Sequence, residues 1–178
     1  MIAIKPAELK DLKIIRQLAY DIWPSAYGHI LSASQLAYML DKIYSLSSLE
    51  NQFSVLHHQF IIAFENEVPI GFASFSAHEN NLLIFHLHKI YVQPNQQGKN
   101  VGKQILDYVF NEIKNADATV LQLNVNRNNK AIDFYKKQGF IIVWEEDIDI
   151  GEGYFMNDYV MEKRLNNNTN FLKYNTNS

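Results

Sequence analysis

A chain of 178 residues with 47% hydrophobic content is long enough for one well-filled core and short for two domains, so a single domain is expected. Its formal net charge of -3 provides no general attraction to nucleic acid or to an anionic membrane surface, and would favour a cationic partner. The absence of cysteine excludes a disulfide framework, a thiolate zinc site, an iron-sulfur cluster and a cysteine nucleophile.

The amino terminus carries acidic residues early and has no apolar run of signal-peptide length, and no later stretch is long enough to span a bilayer, so the expected location is the cytoplasm. "IAIK" is a short strand candidate. Leu12, Ile15, Ala19 and Ile22 then recur at helical spacing until Pro24, where the pattern predicts a stop near "WPSAYG". Ser32 and Gln35 have capping-box spacing ahead of an apolar face of Leu36, Met39, Leu40 and Ile43. Ser47 and Glu50 repeat that spacing with Leu49, Phe53 and Leu56 behind, which predicts a third short helix.

"QFIIAF" and "IGFASF", separated by "ENEVP", read as an antiparallel hairpin, and "NLLIFHLHKIYV" as a long strand. A helix over residues 98–115, a strand at "TVLQLNV", a helix over 128–138 and a strand at "FIIVWEE" give a βαβαβ alternation that favours parallel pairing through the middle. "GEGYFMNDYVMEKRL" supplies a turn and a last strand. The single domain is placed at residues 1–165, and the asparagine-rich 166–178 is expected to be a frayed tail.

Two local features carry chemical information. In the long strand, Phe85 and Leu87 share one parity, whereas Ile90 and Val92 share the other. One extra residue near His88 and Lys89, a β-bulge, would return both pairs to the same side; a strand buried on both faces is the alternative. Downstream, Gln97, Gly98, Lys99, Asn100, Val101, Gly102 and Lys103 form a polar bend before a helix with apolar residues at 101, 105, 109 and 113. Backbone N–H groups at such a helix start converge with the positive end of the dipole behind them, an arrangement suited to a pyrophosphate; the alternative is an ordinary strand-to-helix loop in which the glycines only permit the turn. "GKNVGKQ" is one residue short of P-loop spacing and has Gln104 where that motif needs Ser or Thr.

With Gln97, Asn100 and Gly102 at the spacing of its pyrophosphate loop, the chain resembles the GNAT superfamily of acetyl-CoA-dependent N-acetyltransferases. Asn100 stands where that loop usually has glycine. A second stretch, "NNKAIDFYKKQGF", places Asn128, Ala131, Tyr135, Gly139 and Phe140 at the spacings of the family's later cofactor motif. "FYKKQGF" together with "YFMNDYVMEK" is further similar to bacterial PaiA-type polyamine acetyltransferases.

The resemblance implies an α/β (α+β) GNAT fold, with a central mixed twisted sheet, splayed middle strands and a β-bulge, flanked by helices. It also implies an enzyme that moves acetyl from acetyl-CoA to a primary amine by direct attack in a ternary complex; no metal is expected, because two strand histidines without a nearby acidic ligand are a thin constellation. On that basis Ile90, Tyr91 and Val92 would bind the pantetheine arm and polarise the thioester, residues 97–103 and Asn128 would bind the cofactor, and Tyr135 would protonate the leaving thiolate. His86 occupies the position where many relatives carry a glutamate base, and His88 could share its role; the alternative is strand histidines bonded to backbone or solvent.

The acceptor is expected to be a small cationic amine such as a polyamine. A protein lysine or amino terminus, or a non-catalytic acyl-CoA-binding role, are the alternatives. No nucleic-acid or membrane partner is expected, and a homodimer is compatible with the sequence. Trp23, Tyr27 and Tyr38 are candidate pocket walls or core residues in equal measure. The acidic "EEDIDIGEG" is either an attractor for a cation or a solvated turn.

Overall fold

The computed structural model describes residues 1–165; the tail expected at 166–178 lies outside the described residues. Seven strands form one mixed sheet in the order β1-β2-β3-β4-β5-β7-β6. They are β1 (Ile2–Pro6), β2 (Gln59–Glu65), β3 (Val68–His78), β4 (Asn81–Val92), β5 (Val120–Asn126), β6 (Ile141–Gly151) and β7 (Tyr154–Arg164). The helices are α1 (Leu12–Tyr27), α2 (Ala33–Tyr44), α3 (Leu46–Ser54), α4 (Val101–Asn115) and α5 (Ala131–Lys137). Two cores sandwich the sheet. On one face Val101, Ile105, Val109 and Ile113 of α4 pack with Phe85, Leu87, Leu121 and Leu123; on the other, Ile15, Ala19, Ile22 and Trp23 of α1 and Leu40 of α2 pack with Ile62 and Phe72. Each fully buried aliphatic side chain contributes roughly 1.5–3 kcal/mol.

The bulge falls where parity places it. Lys89 pairs with Ser74 and Leu87 with Phe75, so His88 is the extra residue on β4. Phe85, Leu87, Ile90 and Val92 accordingly all meet the α4 core, while Tyr91 joins the core on the opposite face.

Several expectations are corrected. Pro24 lies inside α1, which continues to Tyr27. Proline lacks the N–H that would bond to Tyr20, but its own carbonyl accepts from Gly28 N at 3.0 Å, so the last turn closes beyond it. The cap of α3 is Ser45, whose Oγ accepts from Ser48 N at 3.4 Å, and not Ser47. At α2, Ser32 Oγ does accept from Gln35 N, yet the Gln35 side chain donates to the Phe155 carbonyl instead of returning to the cap, tying α2 to the β6–β7 hairpin. Tyr38 Oη adds a 2.7 Å bond to the Ile150 carbonyl of the same hairpin. Parallel pairing is confined to β4 and β5; β6 pairs only with β7, antiparallel, at the sheet edge. The acidic segment is consequently strand through Gly151, with the turn at Glu152 and Gly153.

Candidate active site

The site begins where β4 and β5 part. Their ladder runs only from Ile84 and Val120 to Leu87 and Leu123, and the bulge at His88 follows at once. Beyond it β4 continues with β3, and β5 continues with β7 through Asn126. The facing backbone edges of residues 88–92 and 124–126 are left without each other's hydrogen bonds, so their polar groups are free to hold an extended ligand. A cleft of about 810 Å³ fills the gap, lined by Leu87 to Val92, Leu123 to Val125, the loop from Gln96 to Lys103 except Lys99, and Asn129 to Tyr135 in part.

At one end of the cleft lies the bend singled out in the sequence. A 3₁₀ turn at Pro94–Gln96 precedes it, and α4 starts at Val101, three residues later than expected. Asn100 is the N-cap residue with φ 60° and ψ 16°, a left-handed conformation that asparagine tolerates better than most residues. Gly98 has φ 81° and open space where a Cβ would stand. Among the described residues, the N–H groups of Asn100, Val101, Gly102 and Lys103 donate to no backbone carbonyl, which leaves four donors at the positive end of a 15-residue helix. Lys99 also borders this end in sequence, but Lys103 Nζ is engaged by Asp107 at 2.6 Å. The donor set fits a pyrophosphate.

Tyr135 reaches the middle of the cleft from α5. It is 7% exposed and packs edge-on against Phe140 at 5.8 Å. Burial, with a smaller contribution from the Tyr27 hydroxyl, raises its pKa above the ordinary phenol value, so it stays protonated across the physiological range. Asn128 is not the cap of α5: its N–H bonds to Asn126 Oδ1, and it does not line the cleft. The N-cap position is Lys130; Asn129, one residue before it, accepts from Ala131 N at 2.9 Å and borders the cleft.

A second cavity of about 350 Å³ joins the first across the bulge, with Tyr27, His88, Lys89, Tyr91 and Asn124 lining both. Trp23 and Tyr27 of α1 and Phe155 of the β6–β7 hairpin form walls; Tyr38 instead docks the hairpin. Tyr27 Oη and Tyr91 Oη are 3.0 Å apart. His86 and His88 face this space, and His88 stacks on His58 at 3.8 Å and shares a 2.8 Å hydrogen bond with Ser76. Burial, then neighbouring histidines and Lys89, lower His86 to about 4 and His88 to about 2, so both are neutral, weak bases at pH 7.

Two ionisable groups here were not singled out from the sequence. Lys89 is 7% exposed and donates to Gln52 Oε1 at 2.6 Å; Gln52 is oriented by its own donation to the Ile43 carbonyl and Ser48. Burial lowers Lys89 to about 7. Asp158 on β7 is 4% exposed and faces the cavity. Burial and the nearby Glu146 raise it to about 6, against opposing effects of Asn124 and Arg127. The available signal was parity: Asp158 alternates with Met156 and Val160 on an inward-facing register.

Residues 31–163 match the family model of the acetyltransferase (GNAT) domain. Spermidine N(1)-acetyltransferase of Thermoplasma acidophilum is 27% identical over 168 residues, covering 92% of this chain and 97% of that protein. A peptidyl-lysine N-acetyltransferase of Escherichia coli is 28% identical over 92 residues, 51% of this chain and 54% of that one. Among solved structures, the PaiA N-acetyltransferase of Thermoplasma acidophilum in complex with coenzyme A superposes with a TM-score of 0.78 at 25% identity, covering 93% of this chain and 99% of that one. The ribosomal-protein-S18-alanine N-acetyltransferase of Escherichia coli has a TM-score of 0.72 at 18% identity, covering 98% of this chain and 100% of that one, a likeness of fold.

Proposed function

Because this chain belongs to the GNAT acetyltransferase family, we propose that it moves an acetyl group from acetyl-CoA directly to a primary amine, and that the acceptor is a small cationic amine of the polyamine type. The observation that carries the transfer is the parting of β4 from β5 beyond Leu87 and Leu123, which aligns free strand edges, the α4 N-terminus and Tyr135 along one cleft.

Each part has a physical task. The N–H groups at residues 100–103 hold the pyrophosphate, with Gln97, Gly98 and Lys99 shaping the approach. The β4 edge at Ile90, Tyr91 and Val92 binds the pantetheine arm and polarises the thioester carbonyl, where negative charge develops during attack. Tyr135, held protonated by burial, donates to the departing sulfur. His86, neutral in its buried setting, offers a hydrogen-bond acceptor to the incoming amine. A small acceptor is supported by the second cavity, which α1, α2 and the docked β6–β7 hairpin enclose, and by the 27% identity to a spermidine acetyltransferase over nearly the whole chain.

Thiol release from acetyl-CoA tests this directly, with spermidine, spermine, a diamine, an aminoglycoside and lysine-containing peptides offered in parallel to the wild type and Tyr135→Phe. Release with the polyamines, reduced in the variant, is expected. Release with peptides alone would overturn the acceptor assignment, and none with any amine would overturn the transfer reading.

A further inference from the structure

We propose that Asp158 is the carboxylate that receives the acceptor's ammonium group and takes its proton before attack, which makes the second cavity a binding site for primary aliphatic ammonium ions. This rests on the transfer reading above and names the partner of its acceptor.

A missing counter-charge is the central observation. Asp158 is only 4% exposed, yet among the described residues it has no basic group within ion-pair distance. Arg127, the guanidinium that acts on it through space, pairs instead with Glu145 and Asp147 and donates to the Glu146 carbonyl. Buried charges are ordinarily paired, so a cation entering from the cavity supplies what the protein withholds. Register fixes the direction: Asp158 sits opposite Asn126 on β5 and Glu146 on β6, and directly paired residues share a face. Glu146, bridged to β5 by the Asn124 amide, adds a second carboxylate beside Asp158 across the β6–β7 ladder.

The remaining neighbours are compatible with a cation. Tyr27 from α1 and Asn124 from β5 line both cavities, so the space that holds Asp158 opens beside the cleft that holds Tyr135. His86 and His88 on β4 are neutral, and Lys89 loses its charge near pH 7. Above that pH the cavity carries net negative charge. Trp23 and Phe155 supply apolar walls for the methylenes beside the ammonium.

The step balances. One ammonium proton passes to Asp158, freeing the nitrogen lone pair. The N–C bond forms at the acetyl carbon and the C–S bond breaks; Tyr135 gives its proton to sulfur and regains the second nitrogen proton. Asp158 returns its proton to solvent, leaving one amide, one thiol and one proton. With a pKa near 6, Asp158 is a stronger base than His86 while remaining ionised at pH 7.5.

Steady-state thiol release with spermidine from pH 5.5 to 9, for wild type, Asp158→Asn and Asp158→Glu, tests the assignment, with coenzyme A affinity measured as the check on folding. Asp158→Asn should lower kcat/KM for spermidine about 10²-fold or more and abolish its acid limb, while Asp158→Glu keeps the limb and part of the rate. An Asp158→Asn enzyme within threefold of wild type, or one that keeps the acid limb, would overturn the proposal. Should the wild type release no thiol with any amine, the transfer reading fails by itself. Calorimetric binding of spermidine to the coenzyme A complex then decides for Asp158: loss of binding in Asp158→Asn supports its ammonium role, and equal binding removes it. If Asp158→Asn fails to bind coenzyme A, Asp158→Ser takes its place in the same comparison, and an Asp158→Ser enzyme that keeps the acid limb and binds spermidine as the wild type does overturns the proposal.

Discussion

Asp158→Asn should stabilise the folded chain at pH 8 even as it disables acetyl transfer. Folding moves the carboxyl from 3.8 to about 6, chiefly by burial, so the protonated form is the one the fold favours. A group raised in this way leaves stability intact below its unfolded value and removes it as pH rises through the folded value. The gap between 3.8 and about 6 corresponds to on the order of 3 kcal/mol, fully lost above about pH 7, with roughly half already lost at pH 5. Asparagine carries no charge at any of these pH values. Urea denaturation of both proteins at pH 5 and pH 8 isolates the carboxyl, because groups that titrate alike in the two chains cancel in the difference. The advantage of the variant should grow by about 1.4 kcal/mol between those pH values. An advantage that stays constant, or a wild type that is the more stable at pH 8, would refute the assignment of Asp158 as a buried charge without a partner.

Tyr135→Phe removes the donor to sulfur while keeping the ring against Phe140, so thiol release should fall about 10²-fold with coenzyme A affinity nearly unchanged; a full-rate variant would exclude the acid role. His86→Ala should leave the acid limb of kcat/KM in place, because His86 is already neutral above about pH 5, and loss of the limb would make His86 the titrating base. At Asn100 the left-handed backbone predicts that glycine is neutral or slightly stabilising, whereas alanine costs about 1 kcal/mol and weakens coenzyme A binding, as denaturation and calorimetry would show. Gly71→Ala would place a Cβ 2.7 Å from the Tyr91 carbonyl, so it should destabilise the chain by roughly 1–3 kcal/mol and disturb the β4 edge; an unchanged melting temperature would contradict the close approach of β3 to β4.

What could be read from the sequence was local and periodic. Four apolar residues on β4 change parity once, and a single inserted residue is the economical way to return them to one core; His88 is that residue. The bend proposed to hold the pyrophosphate was legible because glycine, asparagine and a four-residue apolar period occur in one short stretch. Pro24 misled because its missing N–H affects only the bond backward to Tyr20, whereas the turn ahead depends on its carbonyl and Gly28. The order of strands was not legible either. Alternation on "FIIVWEE" says that a strand exists, but its antiparallel partner is chosen by the register of β7, which inserts between β5 and β6.

Asp158 escaped notice for the same reason, and its case shows how such a site could be found. Nothing adjacent in "MNDYV" marks the aspartate as special, since acids at this density are ordinary on an exposed strand. Its environment is assembled from Asn126 on β5, Glu146 on β6 and Tyr27 on α1, all brought together by pairing and by the docking of α2 through Gln35 and Tyr38. The one local sign is that Asp158 shares parity with Met156 and Val160, a charge on the side of the strand that must be buried. An inward acid costs stability unless a cation meets it. A strand that retains one where an apolar residue would pack better is therefore better explained by a ligand than by the fold.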